Sequence, residues 1–217
     1  MSILAYNGGS VVAMVGDGCV GIASDTRFGV QAQTVGCDMK RIFKVHDRCL
    51  IGLSGMASDV LTVKQDLKYR TNMYKLREQR EIKPKVFNSM VCSYLYSRRF
   101  GPYFVEPLVV GLCEDEEGDQ ENPAGEKKLK PFISGSDLIG APVFAEDFVV
   151  CGTAEDSLYG TCETFYKPGM NEEELFETLS QCLLSAVDRD CLSGWGGEVH
   201  ILTPTKHIVR TLKGRHD

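Results

Sequence analysis

The chain has 217 residues, 43% of them apolar and 25% charged, which excludes a disordered protein and supplies enough chain for a core without disulfide staples. Its 24 basic and 30 acidic residues leave a net charge of −6, with no basic block of the kind nucleic-acid binders use. No run of 18 apolar residues suggests a membrane span, the first residues do not read as a signal peptide, and glycine is enriched at 22 residues.

The first quarter reads as two hairpins. Ser10–Val15 and Cys19–Ser24 are β-rich runs around the turn signal Gly16-Asp17-Gly18. Arg41–Val45 and Cys49–Leu53 flank His46-Asp47-Arg48. The period then lengthens. Val60, Val63, Leu67 and Met73 fit a helix from Ser58, its expected N-cap, to about Gln79. Lys83-Pro84 opens a second helix with the stripe Phe87, Met90, Val91, Tyr94 and Leu95, expected to end at Gly101-Pro102.

Strands return at Pro107–Leu112, Lys130–Ser134 and Asp147–Cys151. Between the first two, residues 114–130 hold six acids before Pro123 and three lysines near the end. This segment reads as a solvated insertion, with a partner-binding acidic finger as the lesser reading. Thr153-Ala154-Glu155-Asp156 resembles a capping box before a third helix with the face Leu158, Cys162 and Phe165. Asn171 caps a fourth, whose stripe is Leu175, Leu179, Cys182, Leu183, Ala186 and Val187. Glu198–Leu202 and His207–Lys213 close the chain as a hairpin.

Strands, two helices, strands, two helices and strands give an α+β chain. The expected architecture is a four-layer α-β-β-α sandwich of two antiparallel sheets flanked by helix pairs. Residues 1–217 read as one domain. The nine cysteines are dispersed, with no CxxC, and the four histidines form no ligand pattern, so buried free thiols are expected and neither a metal nor a cofactor. Gly52-Leu53-Ser54-Gly55 lacks the spacing of a nucleophile elbow, and neither Gly8-Gly9-Ser10 nor Gly194-Trp195-Gly196-Gly197 is a phosphate loop.

What remains is an ordered series of strings. They are Gly8-Gly9-Ser10, Ala23-Ser24-Asp25-Thr26-Arg27, Arg41-Ile42-Phe43, Leu53–Asp59, Cys151-Gly152-Thr153 and Asp190-Cys191-Leu192-Ser193-Gly194. The series resembles the β subunits of the proteasome, members of the N-terminal-nucleophile hydrolase superfamily, from Asn7 to Lys213. Longer strings narrow the resemblance to one eukaryotic, inactive type: Tyr6–Gly9, Arg27–Gln33, Arg98–Tyr103, Asp137–Gly140, Asp147–Val150 and Ala186–Asp190.

In active members of that family a freed N-terminal threonine supplies both the nucleophilic hydroxyl and the general-base amine. A lysine tunes the amine, an aspartate holds the lysine, and an Asp and a Ser further along support the site. Carried onto this chain, the resemblance puts the first aspartate at Asp25, with Gly9 sixteen residues earlier at the nucleophile position and Arg41 sixteen later at the lysine position. Glycine has no hydroxyl, and a guanidinium stays charged. Asp190 and Ser193 match the supporting pair, and Thr153 stands where active members carry a serine.

The resemblance therefore implies a non-catalytic β subunit of a threonine-type endopeptidase complex, the 20S core, in cytoplasm and nucleus. Its partners would be other β subunits in a seven-membered ring, an opposite β ring, an adjacent α ring and the unfolded polypeptides the complex degrades. It would help to shape a neighbouring, trypsin-like subunit's cleft, with the acids after Cys113 favouring basic side chains. Two other readings are an active hydrolase using Ser10 after self-cleavage at Gly9-Ser10, one residue out of register, and a stand-alone binding protein.

Overall fold

The computed structural model describes residues 2–114 and 129–216. The central segment of the expected insertion, 115–128, lies outside the described residues. A 3-10 turn at Ile3–Ala5 precedes strands β1 (Ser10–Val15), β2 (Val20–Asp25), β3 (Phe28–Val30), β4 (Gln33–Gly36), β5 (Ile42–His46) and β6 (Cys49–Gly55). Helices α1 (Ala57–Glu78) and α2 (Pro84–Tyr96) follow. Then come β7 (Val105–Glu114), β8 (Leu129–Ser136), β9 (Pro142–Ala145) and β10 (Phe148–Gly152). Helices α3 (Glu155–Phe165) and α4 (Glu172–Val187) and strands β11 (Gly197–Leu202) and β12 (His207–Leu212) complete the order.

Two five-stranded antiparallel sheets form, in the orders β10-β1-β2-β11-β12 and β5-β6-β7-β8-β9, with β3-β4 as a separate ribbon. Side chains alternate across a strand, so β1 feeds two cores at once. Val11 and Ala13 pack between the sheets, with Ile22, Leu50, Val110 and Val149. Val12 and Met14 pack against α3 and α4, beside Leu158, Leu179 and Leu183. A third core joins the second sheet to α1 and α2 through Leu53, Val63, Phe87 and Leu95. Three apolar interfaces define four layers, α-β-β-α, the arrangement read from the sequence. Strands buried on both faces explain the continuous apolar runs of β1 and β2.

Several local expectations are corrected. Ser58 does not cap α1: the N-cap is Met56, with no side-chain bond of its own. The buried stripe of α1 runs Val60, Val63, Leu67, Thr71, so Thr71 takes the inward place expected of Met73. Helix α2 ends at Tyr96, because the following N–H groups turn inward to i−3 carbonyls: Arg98 to Leu95 at 3.0 Å and Arg99 to Tyr96 at 3.0 Å. Glu114, Leu129 and Lys130 are strand residues, with Glu114 opposite Leu129 and Cys113 opposite Lys130, so the bounds 114–130 overstate the insertion. Strands β3, β4 and β9 are additions, each only three or four residues long. Of the nine cysteines, Cys37 and Cys191 are exposed and Cys92 is half-buried; the other six are buried.

Candidate functional site

Strand β1 starts directly after two glycines in left-handed backbone, Gly8 at φ +71° and Gly9 at φ +110°. A Cβ built on Gly9 would collide with Nε, Cζ and Nη2 of Arg41. The guanidinium therefore occupies the space into which any side chain at position 9 would project. Position 9 shares the inter-sheet parity of Val11 and Ala13.

Arg41, just before β5, is held from several directions. Its Nη1 stands 3.2 Å from Asp25 Oδ1, with 2% and 0% of the two side chains exposed. Nη1 also donates to the Asp25 carbonyl at 3.0 Å, and Nη2 to the carbonyls of Gly8, at 3.1 Å, and Arg27. Asp25, at the end of β2, accepts in turn from the Ser10 N–H at 3.0 Å and the Gly194 N–H at 3.0 Å. Burial pushes the Asp25 carboxyl above the ordinary carboxylate range, and the Arg41 charge and the surrounding N–H groups oppose that push.

A second cluster lies on the α3 side of the same sheet end. Thr153 Oγ1 donates to Asp190 Oδ2 at 2.6 Å, and Ser193 Oγ donates to the same oxygen. Ser193 Oγ also lies 2.9 Å from Thr153 Oγ1 and 3.1 Å from Ser10 Oγ. Ser10 Oγ accepts from the Ala154 N–H at 2.9 Å. With one proton per hydroxyl, Ser10 gives to Ser193, and Ser193 and Thr153 give to Asp190. The capping box expected at Thr153 is not formed. Ala154 is the N-cap of α3 without a side-chain cap bond, and Thr153 faces a carboxylate 37 residues away.

The site residues thus fall into two groups, Gly9 with Asp25 and Arg41, and Thr153 with Asp190, Ser193 and Ser10. Ser10 projects to the same side of β1 as Val12 and Met14, away from Arg41. A cavity of about 100 Å³ abuts Asp190, Ser193, Trp195 and Arg215, and Gly9 is not among its walls. That is well below the ~300 Å³ of a small ligand site.

Two residues were missed by sequence reasoning. Asn7 Oδ1 accepts the Ala57 N–H at 2.9 Å, capping α1 from 50 residues away, while its Nδ2 donates to the Gly29 carbonyl at 2.9 Å. Arg27, wholly buried, donates to Thr34 Oγ1, the Leu192 carbonyl and the Gln31 carbonyl at 3.0, 3.0 and 3.1 Å. No spacing rule announces either one. Both fall within strings that carry the family resemblance, Tyr6–Gly9 and Arg27–Gln33, which give neither residue a structural role.

The structure is a four-layer α-β-β-α sandwich with a buried Asp25–Arg41 pair at one sheet end and an Asp190–Ser193–Thr153 cluster beside it. The family model described as "Proteasome subunit" matches residues 5–120 and 124–202, and the chain belongs to that family. It is 54% identical to a proteasome subunit beta type-3 of Picea mariana and 56% identical to the beta type-3-A subunit of Arabidopsis thaliana. It is 50% identical to the beta type-3 subunit of Drosophila melanogaster. Each alignment covers all of both chains.

Proposed function

We propose that this chain is a non-catalytic, structural β subunit of a 20S proteasome core, working as one unit over residues 1–217. It fills one place in a seven-membered β ring that stacks on a second β ring and adjoins an α ring. It helps to shape a neighbour's cleft for unfolded polypeptides, in cytoplasm and nucleus. The observation that carries this reading is the Arg41 guanidinium in the space of a position-9 side chain, at a position where glycine offers no hydroxyl to attack a carbonyl. Both elements of N-terminal-nucleophile chemistry are missing there: the hydroxyl, and a lysine whose charge can be tuned.

The hydroxyl of Ser10 is already engaged with Ala154 and Ser193, and it lies across the strand from the Arg41–Asp25 pair. It has neither the position nor the partner of an activated nucleophile. Two mass measurements test the proposal. The chain purified from its own cells should migrate within a multi-subunit particle, and intact-mass analysis should find residues 1–9 still attached to Ser10. A mature chain beginning at Ser10, or a stable lone species of about 24 kDa, overturns it.

A further inference from the structure

The turn after α2 holds Phe100, 93% exposed, the most solvent-facing large apolar side chain among the described residues. Burying such a ring is worth roughly 1.5–3 kcal/mol, and the folded chain leaves that gain unused. The turn is nonetheless firmly built. Ser97 Oγ donates to the Tyr94 carbonyl at 2.6 Å, and the Gly101 N–H donates to the Arg98 carbonyl at 3.0 Å. Tyr94 and Tyr103 stack with centroids 5.7 Å apart, and the Arg98 guanidinium lies 5.9 Å from the Tyr103 ring. Arg99 lies 4.9 Å from the Phe100 ring. Phe100 is thus presented on an ordered base with a cation on its face, which lowers the ordering cost of binding.

The layer that carries it is net basic, although two acids lie close to the turn, Asp66 accepting from the Tyr94 hydroxyl at 2.6 Å and Asp59 from the Phe104 N–H at 2.8 Å. Residues 57–102, the α1–α2 layer and its turn, carry ten Lys and Arg against four Asp and Glu in a chain that is net acidic. Residues 155–190, the α3–α4 layer, carry nine acids against two bases. With Arg98 and Arg99 on either side of its approach, a partner that covers Phe100 gains from negative charge at its rim.

We propose that Phe100, flanked by Arg98 and Arg99, is an anchor that inserts into an apolar, acid-rimmed pocket on a neighbouring protein subunit of the assembly. The inference rests on the reading of this chain as a ring subunit. Aromatic and arginine side chains on a rigid base are the residue types that dominate interface energetics.

The test is co-expression of the full chain with its companion subunits, with the incorporated fraction read by native mass spectrometry. Wild-type chain must enter the particle first; its failure to do so counts against the ring reading itself. Given that, Phe100→Asp should be incorporated about tenfold less or worse, and Phe100→Tyr close to wild type. The unfolding midpoints of the free variants should match wild type. An Arg98→Glu, Arg99→Glu double variant should also be depleted. Normal incorporation of Phe100→Asp overturns the anchor, and normal incorporation of the double variant overturns the acidic rim. A wild-type dimer of the isolated chain that Phe100→Asp abolishes also overturns it, by making a second copy the occupant.

Discussion

Arg41 and Asp25 form a buried ion pair 3.2 Å long at the edge of the space beside Gly9. Removing one partner of such a pair leaves the other uncompensated, so Arg41→Met should cost about 3–5 kcal/mol. Gly9→Thr should be severely destabilising as well, for two separable reasons: collision with the guanidinium and a β-branched residue forced to φ +110°. Arg41→Lys in the same chain relieves only the collision. A double-mutant cycle by denaturant titration should therefore show Gly9→Thr costing less in the Arg41→Lys background than in the wild-type background. Strict additivity would mean that the two positions do not share space.

Asn7 ties the segment before β1 to the start of α1. Replacing it with Ala removes the acceptor of the Ala57 N–H and should cost about 1 kcal/mol, a downward shift of roughly 2–4 °C in Tm for a domain of this size. Asn7→Asp keeps that acceptor but sets a buried carboxylate oxygen against the Gly29 carbonyl that Nδ2 now serves, so it should lose at least as much as Asn7→Ala. If both variants melt with wild type, the cap contributes nothing.

These contacts mark where sequence reading stopped. The cap of α4 was legible because it is local: Asn171 and Glu174 complete a reciprocal box three residues apart. The layers were legible because β1 and β2 are apolar on both faces and α4 keeps a clean stripe. Strands β3, β4 and β9 were not: each is three or four residues long, and Val35, Val143 and Phe144 are exposed, so no alternation of buried and polar residues marks them. Thr71 was passed over as polar, although it continues the Val63–Leu67 spacing. The grouping of Gly9, Asp25 and Arg41 was legible only through family resemblance. Sixteen-residue intervals carry no chemistry until β1, β2 and β5 bring them together.

The β11–β12 hairpin should make stability pH-dependent. His200 Nδ1 lies 3.0 Å from His207 Nε2, so one ring donates to the other and both cannot be charged without two cations in contact. Burial lowers the pKa of His200, opposed by Glu198, whose carboxylate is 3.5 Å from Nε2, and assisted by Lys40. Burial also lowers that of His207, helped by the charges of His200 and Lys44 and opposed by Asp47 and Glu198. His46 is lowered too, chiefly by burial. The unfolded chain therefore protonates these imidazoles first, so their contribution to stability is full above about pH 6.5 and falls as pH drops toward the folded-state values. The slope is at most about 1.4 kcal/mol per pH unit for each excess proton. Urea midpoints between pH 7.5 and 5.5 should decline, and His207→Gln should flatten but not abolish the decline, because His46 remains. A flat wild-type profile would refute the linkage.

Thr153 separates two roles that the sequence alone confuses. As an N-cap, its hydroxyl would serve only the first turn of α3, and Thr153→Val would cost what any lost cap costs. In the structure that hydroxyl donates to Asp190 Oδ2 at 2.6 Å, within a cluster that also holds Ser193 and Ser10. Removing it withdraws a charge-assisted donor from a carboxylate, a bond worth about 1.5–3 kcal/mol. Thr153→Val should therefore destabilise by that amount, and Thr153→Ser should stay close to wild type. The cost should fall sharply in an Asp190→Asn background, where the acceptor is no longer an anion. Unfolding titrations of the four chains decide the matter. An equal cost of Thr153→Val in both backgrounds would return the residue to its capping role.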